Sequence, residues 1–243
     1  RFYGTALESW PVDDPERPAL LLRYGRGLQH TEIGGGYEAV LAEARDGLLG
    51  AGEQSAAAEA AAVLGEMFRR LGLWDDAFEH FSQAEALVQD VPSSPSKAYV
   101  VGNLSRFFML AGQAEHAIRL AQEALEMATE LGLNDLRALA ITNIGSARAA
   151  SGDAGGLEDL EQAIAISLEL TSPEAVRAYA NFGSHLASLG ELERSFAMHA
   201  ESGRLADRFG FGELARKVRA ERTWELYVRG RWNEGLALAD ALI

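Results

Sequence analysis

Five histidines, His30, His80, His116, His185 and His199, are the side chains best suited by type to move protons near neutral pH or to ligate a metal. Their spacing supports neither role. No His-x-x-x-His or His-Glu-x-x-His pair sets two imidazoles on one helix face, so the local signature of a metal centre is missing. The chain holds no cysteine, which removes disulfides, thiolate nucleophiles and Cys-ligated zinc or iron–sulfur clusters. A serine nucleophile calls for a Gly-x-Ser-x-Gly elbow and a phosphate loop for Gly-x-x-x-x-Gly-Lys; neither occurs. Gly34-Gly35-Gly36 has no Lys or Ser/Thr after it and reads as a turn between helices. The carboxylates fall at solvent-facing helix positions, where a run of charge is a wetted surface. These residues imply no cofactor and no metal, and the expectation is that the chain is not an enzyme.

The formal charge of −14 argues against direct nucleic-acid binding, which needs clustered cations to neutralise phosphate. Lys97 and Lys217 are the only lysines, so arginine carries almost all the positive charge. Hydrophobic residues make up 48% of the chain, yet no run approaches eighteen in length, so no membrane span is expected. The start, Arg1-Phe2-Tyr3-Gly4, has no basic-then-apolar export pattern. A cytoplasmic location is the expectation that follows.

The elements that would position any site announce themselves as a repeat. Gly72, Gly112, Gly152, Gly190 and Gly230 follow one another at intervals of 40, 40, 38 and 40 residues. Apolar residues with helical spacing lie on both sides of each, and a less regular copy surrounds Gly35. A glycine is needed where a helix ends in the left-handed region, and Trp74, Tyr37 and Trp232, two residues on, can wedge the turn. Second breaks fall between units: Val91-Pro92-Ser93-Ser94-Pro95, Leu131-Gly132-Leu133-Asn134, Thr171-Ser172-Pro173 and Phe209-Gly210-Phe211-Gly212. Each unit is therefore two antiparallel helices, and β-branched alternating runs are absent. The fold is expected to be all-α, a single solenoid of about six helix-turn-helix units at 15–50, 52–90, 95–131, 134–170, 173–209 and 212–243. Residues 1–10 read as the end of a preceding unit. The chain starts inside one helix and stops inside another at Leu242-Ile243 with no polar cap, which predicts a longer parent protein.

In VLGEMFRRLGLWDDAFEHFSQA, Gly65, Phe68, Gly72, Ala77, Phe81 and Ala84 stand at the signature positions of a known motif, and the chain resembles the tetratricopeptide repeat (TPR) family. Ser105, Phe108, Gly112, Ala117, Ala121 and Ala124 form a second copy; Gly183, Leu186 and Gly190 begin another, in which Ser195, His199 and Ser202 make the contact more polar. The fourth unit departs: Gly155-Gly156 replaces helix formers and one position is lost, which predicts a shorter second helix. The resemblance implies a right-handed α-α superhelix whose first helices line a concave surface.

Alignment of the family's groove positions to each turn glycine selects one recurrent residue, Asn103, Asn143 and Asn181. A primary amide donates and accepts at once, so a ladder of amides can bond an extended peptide backbone without reading its sequence. The alternative is that each asparagine bonds its neighbouring helix and only orients the repeats. The same positions add Arg69, Arg70, Tyr99, Arg106, Met109, Arg177, Lys217, Trp224 and Tyr227, with Trp224 and Tyr227 also readable as core. Arginines on the inner face of an acidic protein would favour an acidic peptide or a carboxylate. The resemblance thus implies a protein- or peptide-binding module. Its helices are similar to the TPR regions attached to bacterial adenylate/guanylate cyclases and LuxR-type transcriptional regulators, which implies a sensor region in a larger signalling protein. A freestanding scaffold that assembles partners, or self-associates through its apolar ends, is the alternative.

Overall fold

The computed structural model describes residues 2–28 and 37–241 of the 243. His30, the Gly34-Gly35-Gly36 turn and the side chains of Tyr37 and Lys217 lie outside the described residues. Thirteen helices and no strand form the described residues. Helix α1 (Phe2–Ser9) precedes six antiparallel pairs. They are α2 (Arg17–Leu28) with α3 (Tyr37–Gly50), α4 (Gln54–Arg70) with α5 (Trp74–Val88), and α6 (Pro95–Leu110) with α7 (Ala114–Glu130). Then follow α8 (Asn134–Ala150) with α9 (Gly155–Glu169), α10 (Glu174–Ser188) with α11 (Leu192–Phe209), and α12 (Gly212–Val228) with α13 (Trp232–Asp240). The chain is an all-α, TPR-like solenoid.

Stacking follows from which faces carry small residues. Ala77, Ala84, Ala117 and Ala124 are fully buried where second helices meet first helices. A Cβ on Gly65 would come within 2.8 Å of the Phe81 ring, so only glycine lets α4 and α5 approach that closely. The first helices α2, α4, α6, α8 and α10 also pack on one another in series, whereas the second helices make no comparable contact among themselves. The first helices therefore form one continuous wall and the second helices splay behind it. Helix α12 packs on α11 and α13 but hardly on α10.

Each turn inside a pair closes the same way. Gly72, Gly112, Gly152, Gly190 and Gly230 have φ of 78°, 75°, 82°, 80° and 71°, the left-handed region that costs a glycine little. Between pairs, Gly52, Gly132 and Gly210 take the same conformation, but Thr171 stands in that place before α10 with φ of 53°. A β-branched residue there is strained. Thr171→Gly is expected to raise unfolding stability by about 1 kcal/mol, read as a higher denaturation midpoint with unchanged helical circular dichroism. The α6 start needs no such glycine, since Ser94 Oγ accepts from Lys97 N at 3.1 Å and Pro95 opens the helix.

The fourth pair keeps the core pattern in a shifted register. The first small core residue is the fourth residue of α5 (Ala77), α7 (Ala117) and α11 (Ser195), but the second of α9 (Gly156). Helix α9 has lost residues at its front, and Gly156, Leu160 and Ala163 complete the small–bulky–small set, all buried. In the fifth pair the polar version holds as well: Ser202 Oγ donates to Val176 O at 2.8 Å, and His199 lies against Gly183.

Candidate functional site

The inner wall of first helices encloses a groove of about 950 Å³ lined by residues of α2, α4, α6, α8 and α10. Asn103, Asn143, Asn181, Arg69, Arg70, Arg106, Arg177, Tyr99 and Met109 all face it. The structure thus brings together most of the residues selected from sequence. Trp224 and Tyr227 are not among its lining residues. They sit on α12, 46% and 67% exposed, where Trp224 packs edge-on against Phe196 at 5.6 Å and Tyr227 O accepts from Trp232 Nε1 at 3.1 Å. The reason is the weak contact of α12 with α10: that helix is rich in charged residues and turns away from the wall. Neither residue is core.

The asparagines divide by what they bond. Asn143, 1% exposed, donates from Nδ2 to Gly102 O at 3.1 Å and so ties α8 to α6. Asn181 donates to Ser146 Oγ at 2.9 Å and ties α10 to α8. Asn103 donates to Tyr99 O at 2.8 Å within its own helix. The amide nitrogens of Asn143 and Asn181 are therefore stitches between neighbouring units, whatever their oxygens contact in the groove.

Sequence reasoning missed the carboxylates of this wall, Glu59, Glu66 and Glu174. Glu66 accepts from Arg69 Nε and Nη2, both at 2.7 Å, and from Arg106 Nη1 of the next first helix at 2.8 Å. Burial alone would raise the Glu66 carboxyl, but Arg106 and Arg69 together outweigh it and hold the group well below the usual carboxylate range. Burial pulls the Arg106 guanidinium below its usual value; Glu66 opposes that, and the like charges of Arg177 and Arg69 add to it. Arg177 donates from Nη1 to both oxygens of Glu174, at 2.9 and 3.1 Å, and the Glu174 charge raises it. At the α2 end, Arg26 Nη1 lies 2.9 Å from Glu59 Oε1, and the same guanidinium lies over the Tyr99 ring at 5.2 Å. The signal was present as spacing: Glu59 and Glu66 are seven apart, two turns along one helix face, and Glu66 and Arg106 are one repeat apart.

Two of the described histidines stack on aromatic rings. His80 stacks on Phe68 at 5.0 Å and His116 on Phe108 at 4.0 Å, each across the turn of its pair. Among the described residues no group of three His, Asp or Glu is placed to hold a metal ion, and no helix is long and apolar enough to cross a membrane.

Residues 56–130 match the family model described as tetratricopeptide repeat. A search of curated proteins finds no match. Solved structures share the architecture at low identity. A Rap protein complexed with competence and sporulation factor superposes with a TM-score of 0.77 at 17% identity, over 99% of this chain and 68% of that one. The TPR-like repeats of a kinesin light chain from Podosopora anserina give 0.57 at 15%, over 82% and 99%. A signal transduction ATPase with numerous domains from Pyrococcus horikoshii, which carries a TPR sensor, gives 0.51 at 12%, over 96% of this chain and 40% of that one. At these identities the likeness establishes the fold alone.

Proposed function

We propose that this chain is a peptide- or protein-binding TPR module acting as the sensor region of a larger bacterial signalling or transcriptional regulator. One observation carries the binding reading: the first helices of five successive pairs place amides and guanidinium groups on a single groove in a chain of net charge −14. An extended ligand backbone lies along Asn103 and Asn181, with the Asn181 oxygen as acceptor where its nitrogen is already used, while the buried Asn143 holds the wall beneath it. A ligand carboxylate lies against Arg177, whose Nη1 alone bonds Glu174 and whose other nitrogens keep donor capacity. The Rap neighbour, solved with a bound factor, and the ATPase neighbour, with its TPR sensor, support the sensor reading by analogy of fold.

To test this, the purified chain would be incubated with the small-peptide fraction of its native culture, and any retained peptide identified by mass spectrometry and resynthesised. Arg177→Ala is expected to weaken that peptide about tenfold or more, the worth of one charge-assisted hydrogen bond. Asn103→Ala is expected to weaken it less. Unchanged affinity in the double variant, with helicity intact, would remove the groove as the binding site.

A further inference from the structure

The two groove carboxylates of α4 are provided for very differently. Glu66 takes three hydrogen bonds, from Arg69 twice and from Arg106 once, all between 2.7 and 2.8 Å. Glu59, two turns earlier on the same face, is 3% exposed, more buried than Glu66, and lines the same groove. Among the described residues no hydrogen bond reaches its Oε1. Its companion is Arg26, whose Nη1 lies 2.9 Å away without the alignment of a hydrogen bond. The Arg26 side chain is 51% exposed, and its guanidinium lies over the Tyr99 ring.

A carboxylate taken out of water is stable only with its lone pairs met by donors. Glu66 meets that condition and is a closed structural ion cluster. At Glu59 that condition is not met for Oε1: a half-exposed arginine lies 2.9 Å from it, and the groove opens beside it. The arrangement suits an incoming cation that brings directed N–H donors and displaces Arg26 towards water. Tyr99, already under a guanidinium, would give that cation an aromatic face.

We infer that Glu59 forms a cation subsite of the groove, which takes a protonated amine or guanidinium of the bound peptide in exchange for Arg26. This rests on the peptide-binding reading above and adds a polarity to it. The positive group of the ligand sits at the α2–α4 end, over Glu59, and the negative group sits towards α10, at Arg177. The ligand is then a peptide with a positive and a negative end, or side chains that imitate one, in place of a uniformly acidic chain.

The test is selection of a random heptapeptide library, displayed with free amino termini, on the wild-type chain and on Glu59→Gln in parallel. Wild type is expected to enrich peptides with a basic residue at one fixed position or with dependence on the free amine, and Glu59→Gln is expected to lose that preference. Resynthesised winners should bind Glu59→Gln at least tenfold more weakly and Arg26→Ala several-fold more tightly, because the competing cation is gone. Acetylating the amino terminus, or replacing the basic residue by norleucine, tells which of the two cations occupies the site. Enrichment with no basic preference, or one that survives Glu59→Gln, overturns the cation subsite and leaves the groove reading standing. Enrichment of nothing on wild type overturns both. Should Glu59→Gln fail to fold, the Arg26→Ala arm decides alone: no gain in affinity for the basic winners overturns the inference.

Discussion

Gly156→Ala is expected to cost this chain about 3 kcal/mol, the upper range for forcing a methyl group into a closed contact. The methyl carbon would stand 2.3 Å from Ala149 N and 2.5 Å from Gly145 O, both backbone atoms of α8. Backbone inside a packed helix cannot swing aside as a side chain does, so α9 would have to move off α8. That motion would unseat Leu160, which is fully buried one turn further on. The contact is reciprocal, since a Cβ on Gly145 would meet Gly156 O at 2.8 Å. Alanine's better helix propensity returns only about 1 kcal/mol. The control is the adjacent glycine. A Cβ on Gly155 meets the guanidinium end of Arg148, a partly exposed side chain that can shift, so Gly155→Ala should stay within about 1 kcal/mol of wild type. Urea denaturation of both variants checks the pair of outcomes, and an equal effect at 155 and 156 would contradict the backbone contact.

That contact also shows where the sequence was readable and where it was not. The turn glycines from Gly72 to Gly230 state their own conformation, because a positive φ leaves little choice of residue, and their spacing gave the stacked helix pairs directly. Buried alanines such as Ala77 and Ala117 were equally legible, since close helices need small residues and the repeat supplies the register. Gly155-Gly156 looked like damage to a helix because a two-glycine run lowers propensity. Its meaning lies in tertiary contact: α9 starts late, and the missing side chain is what lets it touch α8. The groove followed the same division. Asn103, Asn143 and Asn181 were found by their period, but a period cannot tell which end of an amide faces the groove, and Asn143 and Asn181 turned out to bind neighbouring helices with their nitrogens. Trp224 and Tyr227 were assigned by extending the period one unit too far, past the point where α12 stops packing on α10. Glu59 and Glu66 went unseen because Arg26 and Arg106 stand in other units and reach them only through the packing of the first helices, although Arg69 is a neighbour of Glu66 on α4.

Glu66→Gln should be the second costly change, at about 3–5 kcal/mol near neutral pH. Glutamine keeps the shape but removes the charge that faces Arg69 and Arg106, leaving two guanidinium groups, with Arg177 nearby, crowded on one wall. A neutral amide also presents a donor where Arg69 needs an acceptor, so one of the two 2.7 Å bonds is lost outright. The variant should depend on pH in a way that identifies the cause. Because the folded-state pKa of Glu66 is depressed, its stabilisation is fully present above the unfolded value near 4.5 and is lost as pH falls through the lower folded value. In that acid window the unfolded chain binds a proton that the folded chain refuses, so wild-type stability falls while the glutamine variant has nothing at this position to lose. The gap between the two should therefore be constant from neutral pH down to about 5, and should close below that. Urea midpoints of both proteins between pH 3 and 7 would measure it. A gap that persists unchanged to pH 3 would assign the cost to packing, and with it would go the account of Glu66 as the anion that holds the arginines of this wall in place.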